Sequence, residues 1–373
     1  MDWSKGYSAS YYMTRVDPAT WRDVERIEIT GGSVKRSTSG LMQSADVDCT
    51  GWGYNGESYI RLYLDTAQRG QHSHVPLFTG LATSPDKDMK GRLVQNTLTC
   101  YSVLKPCDDV VLARGWYASE GMPGGLILKK LLTATPAPVT IADGSPELAG
   151  TIVAEDGETN LTMIWRVLDA IGWRLRITGD GAISAEPKPT EPVTVFDPLS
   201  ADVIETEIKV SEDWYSCPNV LLCICDDVTA TARDDSELSP LSTIRRGREV
   251  WAVESDCDLG TNESIAGYSA RRLRELQQVQ KTAEYDRRFV PGVLPGDLVL
   301  MHYPEQGLEG VFNVDSQSVE LGHAARTAEK LSTFIMEDFA EREAEIGLAR
   351  LITDDGEYLI SDDDEQLVAL TEY

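Results

Sequence analysis

The sequence predicts a mainly β chain of the α+β kind: two antiparallel β bodies, each barrel-like or sandwich-like, with a small α+β domain between them. Three observations predict it. Hydrophobicity repeats every second residue through positions 27–101, the same period returns after Pro187, Pro189 and Pro192, and between the two it lengthens to a helical period at positions 161–171. At 373 residues the chain exceeds one ordinary core, and its 42% of hydrophobic residues suffices for several. The expected division is an arm at 1–17, a first β body at 18–108, a mixed domain at 109–192, a second β body with a long helix at 193–338 and an acidic tail at 339–373.

In chain order, the arm holds Trp3, Tyr7, Tyr11 and Tyr12, too aromatic for a disordered tail and too irregular for a helix, and is expected to pack on a neighbouring domain or subunit. In the first body Ile60, Leu62 and Leu64 alternate with Arg61, Tyr63 and Asp65, and Ala45, Val47 and Cys49 alternate with Asp46, Asp48 and Thr50, so each strand buries one face. Ile27 and Ile29 open this body before a turn at Gly31-Gly32. Leu77-Phe78-Thr79-Gly80 leads into a polar loop at 84–91 and a last strand at 92–101.

The mixed domain reads as a short helix at 126–132 opened by Pro123, then a helix at 161–171. Thr159 or Asn160 caps the second helix, Leu161, Ile164, Leu168 and Ile171 form its stripe, and Gly172 stops it. Strands at 173–178 and 182–186 flank Gly179-Asp180-Gly181, a hairpin turn; a calcium loop would need further carboxylates at fixed offsets, and they are missing. After the prolines, Ile204, Thr206, Ile208 and Val210 mark a half-buried strand. Val220-Leu221-Leu222-Cys223-Ile224-Cys225 is apolar on both faces and belongs at the centre of a sheet. Positions 226–240 read as a polar excursion. Thr261 or Asn262 caps a helix at 263–281 with the stripe Ile265, Tyr268, Leu273, Leu276 and Val279. Pro295-Gly296-Asp297 then launches strands at 298–303, 310–321 and 330–338: proline presets φ, glycine permits the turn, and the aspartate accepts backbone amides. The tail carries a near repeat eight residues long at 351–365, with a hairpin signal at Asp355-Gly356, and is expected to be a weak hairpin or a segment ordered by a partner.

Lys plus Arg number 34 against 61 Asp plus Glu, a net charge of −27, which excludes attraction to nucleic-acid backbones or anionic membranes as the basis of function. No basic segment followed by an apolar run opens the chain, and no apolar stretch approaches the ~20 residues that cross a bilayer, so a soluble protein with no membrane insertion is expected. Seven cysteines, an odd number, form no disulfide framework and read as reduced, several of them buried.

Chemical sites were sought among residue clusters. Cys217, Cys223 and Cys225 lack a Cys-x-x-Cys or a neighbouring histidine. His72 and His74 share a side of an extended segment but sit in a loop at 68–76 with no third ligand. The carboxylates at 362–365 are consecutive rather than spaced and read as solvated charge, not a calcium site. Cys100 and Cys107 match no histidine, and no Gly-x-Ser-x-Gly, phosphate loop or dinucleotide fingerprint occurs. Arg245-Arg246-Gly247-Arg248, the compact basic cluster, is expected to pair with carboxylates within or between subunits rather than with phosphate. No catalytic, cofactor-binding or metal-binding residue is therefore predicted.

The order Gly31-Gly32-Ser33-Val34, Ser44-Ala45-Asp46-Val47, the strand at 60–65, Leu77-Phe78-Thr79-Gly80 and a last strand ending at Tyr101 resembles the amino-terminal domain of phage tail hub proteins. The likeness extends to the helix and hairpin around Gly179-Asp180-Gly181, to Trp214-Tyr215-Ser216-Cys217-Pro218-Asn219 before an apolar strand, and to Pro295-Gly296-Asp297, which resembles a turn of the second barrel of hubs. The resemblance implies two tail-tube-like barrels per subunit and a homotrimeric, non-enzymatic ring of the virion baseplate or tail tip, assembled in the host cytoplasm. Such a trimer offers six similar units to a hexameric tube above a threefold spike. Implied partners are the tail tube, the spike or tip protein, other baseplate proteins and the tape measure protein, with DNA passing unbound. Two other readings stand beside it: a tail-tip cell-wall hydrolase, and the hub of a phage-derived contractile injection particle.

Overall fold

The computed structural model describes the chain except residues 1, 4, 55, 84, 91–92, 198–203, 226–227, 256–263, 323–324, 336–347, 351–367 and 371–373. Its contacts divide it into two units, one of Met1–Val210 with Thr282–Ser332, the other of Ser211–Lys281 with Thr333–Tyr373.

The first unit begins with β1 (Ser8–Asp17), β2 (Arg22–Ser37), β3 (Gln43–Cys49), β4 (Ser58–Gln68), β5 (Gln71–Ala82), β6 (Asp86–Lys90) and β7 (Leu93–Ser102). Six of these close into an antiparallel barrel, in the order β1-β4-β5-β7-β3-β2 with β2 returning to β1. Met13, Val34, Val47, Leu62, Leu64, Phe78 and Leu98 fill it and are fully buried, as the two-residue alternation requires.

Four local expectations change. The aromatic arm becomes strand β1 from Ser8 onward, inserted between β2 and β4, because Tyr11, Tyr12, Met13 and Val16 suit a pleated surface; Tyr12 stacks on Tyr63 at 5.0 Å. Gly31-Gly32 is not a turn but a bulge within the 16-residue β2. Gly32 has φ 140°, and a Cβ there would stand 2.2 Å from the carbonyl oxygen of Asp46, so glycine is needed to let β3 approach. Part of the polar loop at 84–91 is strand β6, an edge partner of β7. His72 and His74 lie in β5 rather than in a loop, because Arg69 and Gly70, both at positive φ, turn the chain in two residues.

The mixed domain contains α1 (Lys105–Asp109), β8 (Tyr117–Ala118), α2 (Gly124–Leu131), β9 (Val139–Ile141), β10 (Ile152–Val153), α3 (Asn160–Ile171), β11 (Trp173–Ile177) and β12 (Ile183–Pro187). As predicted, Thr159 caps α3, its hydroxyl accepting from the Thr162 amide at 3.3 Å, and Gly172 ends the helix in the left-handed region. Leu128, Met163, Ile164 and Val167 are wholly buried where α2 and α3 meet.

The chain continues through β13 (Thr194–Phe196), β14 (Ile204–Glu212), β15 (Val220–Cys225), β16 (Val228–Arg233), α4 (Thr243–Arg246), β17 (Trp251–Ser255), α5 (Ile265–Leu276), β18 (Val279–Arg287), β19 (Leu298–Tyr303), β20 (Leu308–Glu320), β21 (Thr327–Ile335), β22 (Leu348–Arg350) and β23 (Val368–Leu370). The strands β13-β19-β20-β21-β18-β14 form a second β body around Val299, Met301, Phe312, Val314 and Leu331. Its pairing is not wholly antiparallel, since β13 runs parallel to β19. The two β bodies are continuous, because Ser33–Ser37 of β2 pairs with Ser316–Glu320 of β20 to give one 13-stranded sheet.

The second unit corrects the expectation of one β body from 193 to 338. Between β14 and β18 the chain builds its own sheet, β16-β15-β17, with β15 central as predicted, and α5 packs Tyr268 and Leu273 on Leu221 and Cys223. The polar excursion at 226–240 includes β16, where Ala230 and Ala232 alternate with exposed Thr229 and Thr231. Helix α5 is shorter than expected: Ser264 caps it, accepting from the Gly267 amide at 3.1 Å, and Val279 belongs to β18. Thr261 and Asn262 lie outside the described residues, as does the near repeat at 351–365; β22 pairs with β23 on either side of that repeat. No described helix is long and apolar enough to cross a membrane.

Candidate functional site

The residues singled out for chemistry are not brought together. Six described cysteines, among them Cys100, Cys107, Cys217, Cys223 and Cys225, form no disulfide. Burial pushes the thiols of Cys100 and Cys107 above their ordinary range, Cys107 to about 11, which disfavours the thiolate. His74 meets Asp65 across the β4–β5 ladder at 2.5 Å, on the exposed side. Among the described residues no three metal-ligating side chains converge; the carboxylates at 362–365 are not among them. A cavity of about 360 Å³ beside the Gly32 bulge is lined by Asp46, Asp48 and Glu320.

The basic cluster behaves differently from the expectation. Arg246 donates to the carbonyl oxygens of Cys217 and Tyr215 at 2.6 Å each, Arg248 donates to Tyr215 at 2.8 Å and lies over its ring, and Arg245 donates to Glu237 at 2.7 Å. These guanidiniums hold main-chain carbonyls, of the loop before β15 for Arg246 and Arg248 and of the segment after β16 for Arg245, rather than carboxylates. Spacing alone does not reveal carbonyl partners.

What the fold does build are seams between its parts, and three concentrate buried polar groups. At the first, the turn Gly179-Asp180-Gly181 docks on the barrel. Thr79 donates to the Gly179 carbonyl at 2.8 Å, and Arg61 and Trp21 both donate to the Asp180 carbonyl at 3.0 Å. Arg61 is anchored in turn by Asp23 at 2.7 Å. A Cβ on Gly179 would lie 1.9 Å from the Pro76 carbonyl oxygen, and one on Gly181 would meet Thr79 and Trp21. The glycines thus serve the docking as well as the turn.

At the second, the turn Pro295-Gly296-Asp297 is clasped by β11. Asp297 is 1% exposed and accepts from the Leu294 amide at 3.0 Å, as the sequence suggested. It also pairs with Arg174 at 3.0 Å and Arg176 at 3.5 Å, while Arg174 donates to the Gly296 carbonyl. Two cations on alternate residues of β11 point the same way, a signal visible in Arg174-Leu175-Arg176 that acquires meaning only with the distant aspartate.

At the third, beneath the β2–β20 pairing, lies a buried network. Arg287 and Glu329 meet at 2.7 Å with side chains 1% and 0% exposed. Tyr285 donates to Glu329 at 2.5 Å, Gln317 donates to it at 2.6 Å, and Arg36 donates to Gln317 at 3.3 Å and to the Leu77 carbonyl at 2.5 Å. Burial by itself would raise the Glu329 carboxyl, but the Arg287 charge and the hydrogen bonds outweigh it and hold the group below the usual carboxylate range. Burial, with Arg287 nearby, brings Arg36 down to about 10. This network joins β2, β18, β20 and β21, and no periodicity announced it.

Among the described residues, the buried polar groups gather at these seams between elements. No protein-family model matches the chain, and no curated protein matches its sequence. Solved structures do match its fold. The tail protein from Neisseria meningitidis MC58 is 16% identical with TM-score 0.61, over 88% of this chain and 97% of that one. The 43 kDa tail protein of prophage MuSo2 from Shewanella oneidensis is 13% identical with TM-score 0.59, over 86% and 96%. The prophage tail protein gp18 from Listeria monocytogenes EGD-e is 14% identical with TM-score 0.50, over 90% and 98%. The chain has the fold of these tail proteins over 86–90% of its length.

Proposed function

We propose that the chain is a structural protein of a phage tail, a subunit of the hub ring at the baseplate or tail tip. The observation that carries this reading is the architecture itself: a closed six-stranded barrel and a second six-stranded body in one chain, fused through β2 and β20, with a likeness over 86–88% of the chain to solved tail proteins. Two β bodies per subunit give a trimer six units to present to a tube of sixfold symmetry, while the trimer itself matches a threefold spike. The partners are then the tail tube, the spike or tip protein and neighbouring baseplate proteins, and the site of action is the virion.

The role is assembly, not turnover. Buried ion pairs and close glycine contacts fix the mixed domain and the second β body on the barrel, as a ring that bears load needs. A net charge of −27 keeps the passage for DNA from binding phosphates where acids face the lumen. Light scattering with negative-stain images of the purified full chain tests the reading. A threefold ring with a central hole, which also binds tail tube protein, is expected; a chain that neither closes into a ring nor binds tube or spike protein overturns it.

A further inference from the structure

The end of the barrel at which β2 passes into β3 buries two polar side chains opposite one another. Arg36 and Gln43 are register partners in the β2–β3 ladder, in line with the inward-facing pair Val34 and Ala45, and they are 5% and 6% exposed. Most of their polar atoms are engaged. Arg36 donates through its two terminal nitrogens to Gln317 and to the Leu77 carbonyl, and Gln43 donates through Nε2 to the Ile177 carbonyl of β11 at 2.9 Å. Two atoms remain: Arg36 Nε and Gln43 Oε1 are both buried and have no hydrogen-bond partner among the described residues. Opposed residues of an antiparallel pair hold their Cβ atoms about 4.5–5.5 Å apart. Arg36 Nε and Gln43 Oε1 each stand three bonds beyond Cβ, so an orphan donor and an orphan acceptor reach the same depth from neighbouring strands. One water placed between a donor and an acceptor spans about 4.5–5.5 Å, the sum of two bent hydrogen bonds of ~2.8 Å.

We propose that a single internal water molecule is bound between Arg36 Nε and Gln43 Oε1 as a fixed part of the folded chain. An orphan donor beside an orphan acceptor selects a ligand that both accepts and donates. Water accepts from the Arg36 Nε–H, gives one hydrogen to Gln43 Oε1, and has its second for the free lone pair of the Leu77 or Ile177 carbonyl. Chloride is the competing occupant, because Arg36 is cationic and Arg287 lies close enough to act on its charge. The Gln43 amide decides against the anion. A carbonyl can only accept, so that of Ile177 holds Nε2 toward itself and turns the partly negative Oε1 toward the site, where it repels chloride. Leaving both atoms dry would instead forfeit the hydration of a guanidinium N–H and of an amide oxygen. The water ties β2 to β3 at the point where Gln43 reaches β11 of the mixed domain and Arg36 reaches β5 and β20, so barrel, mixed domain and second β body share it.

High-resolution crystal structures of the full chain test the site, one grown in chloride and one with bromide in its place, together with the variant Gln43→Met. In the wild type one water peak is expected within ~2.7–3.2 Å of both Arg36 Nε and Gln43 Oε1, with no anomalous signal there from bromide. Gln43→Met keeps the bulk of the side chain but removes the acceptor, and the peak should be lost. If that variant does not fold, the wild-type density decides alone. No density between the two atoms, a direct Arg36–Gln43 hydrogen bond, or a peak that persists unchanged in Q43M overturns the water. An anomalous bromide peak at the site assigns it to an anion and overturns the water equally.

Discussion

The barrel and the second β body each use six strands, yet among the described residues only the barrel closes, and the two bury polar groups to different extents. In the barrel, β1 bridges β2 and β4, backbone hydrogen bonds run around the circumference, and the core is mainly aliphatic and aromatic, with Arg36 of β2 buried and donating to the Leu77 carbonyl of β5. Among the described residues, the second body shows no pairing between β13 and β14. Its interior accommodates Arg287, Glu329, Tyr285 and Gln317, and its leading turn is held by arginines from the mixed domain. Closure satisfies edges through the main chain, whereas the second body adds a side-chain network within.

The comparison breaks most sharply at Glu329. Glu329→Gln leaves Arg287 buried without its counter-charge and should cost about 3–5 kcal/mol in urea unfolding. Replacing the pair together, Arg287→Met with Glu329→Leu, should cost less than the single change, because no lone charge is stranded. A single-variant loss below ~1 kcal/mol would mean that the network is incidental to the second body. The same residue sets a pH signature. Its folded carboxyl lies below the ordinary value of about 4.3, so its contribution is complete above that value and disappears as pH falls through the folded one. The stability gap between wild type and E329Q should therefore be widest near neutrality and narrow in acid.

Glycine substitutions probe the docking of the mixed domain on the closed barrel. Gly179→Ala places a methyl against the Pro76 carbonyl and should cost about 1–3 kcal/mol. Gly247→Ala meets open space and offends only by its φ of 61°, so about 1 kcal/mol is expected. Equal effects in thermal unfolding would show that the hairpin is not pressed on the barrel. Asp297→Asn weakens the clasp on the second body, and since Arg174 and Arg176 are partly exposed, ~1–2 kcal/mol should be lost. The smallest effect belongs to the barrel's outer face: His74→Ala removes an exposed pair with Asp65 and should change stability by no more than about 0.5 kcal/mol.

Much of this was legible along the chain. Alternation at Ile60, Leu62 and Leu64, the Thr159 cap and Gly172 stop of α3, the hairpin around Asp180 and the central place of Val220–Cys225 all depend on neighbours within a few residues, and local sterics or hydrogen bonds decide them. The same local signals misled where a distant strand intervened. Gly31-Gly32 reads as a turn until β3 is brought against it, and the Tyr11-Tyr12 segment reads as an arm until β2 and β4 flank it.

The sequence by itself therefore determined the elements whose signals are local, such as the strand at 60–65, the helix at 161–171 and the central strand at 220–225. Only the tertiary structure decided that the barrel closes through β1, that β2 and β20 fuse the two bodies, that residues 211–281 leave the second body to build their own sheet, and that Arg36, Gln317, Glu329 and Arg287 meet. The physical reason is separation along the chain. Periodicity records the environment of each side chain, buried or wet, but the identity of a partner hundreds of residues away is fixed only when the strands pack.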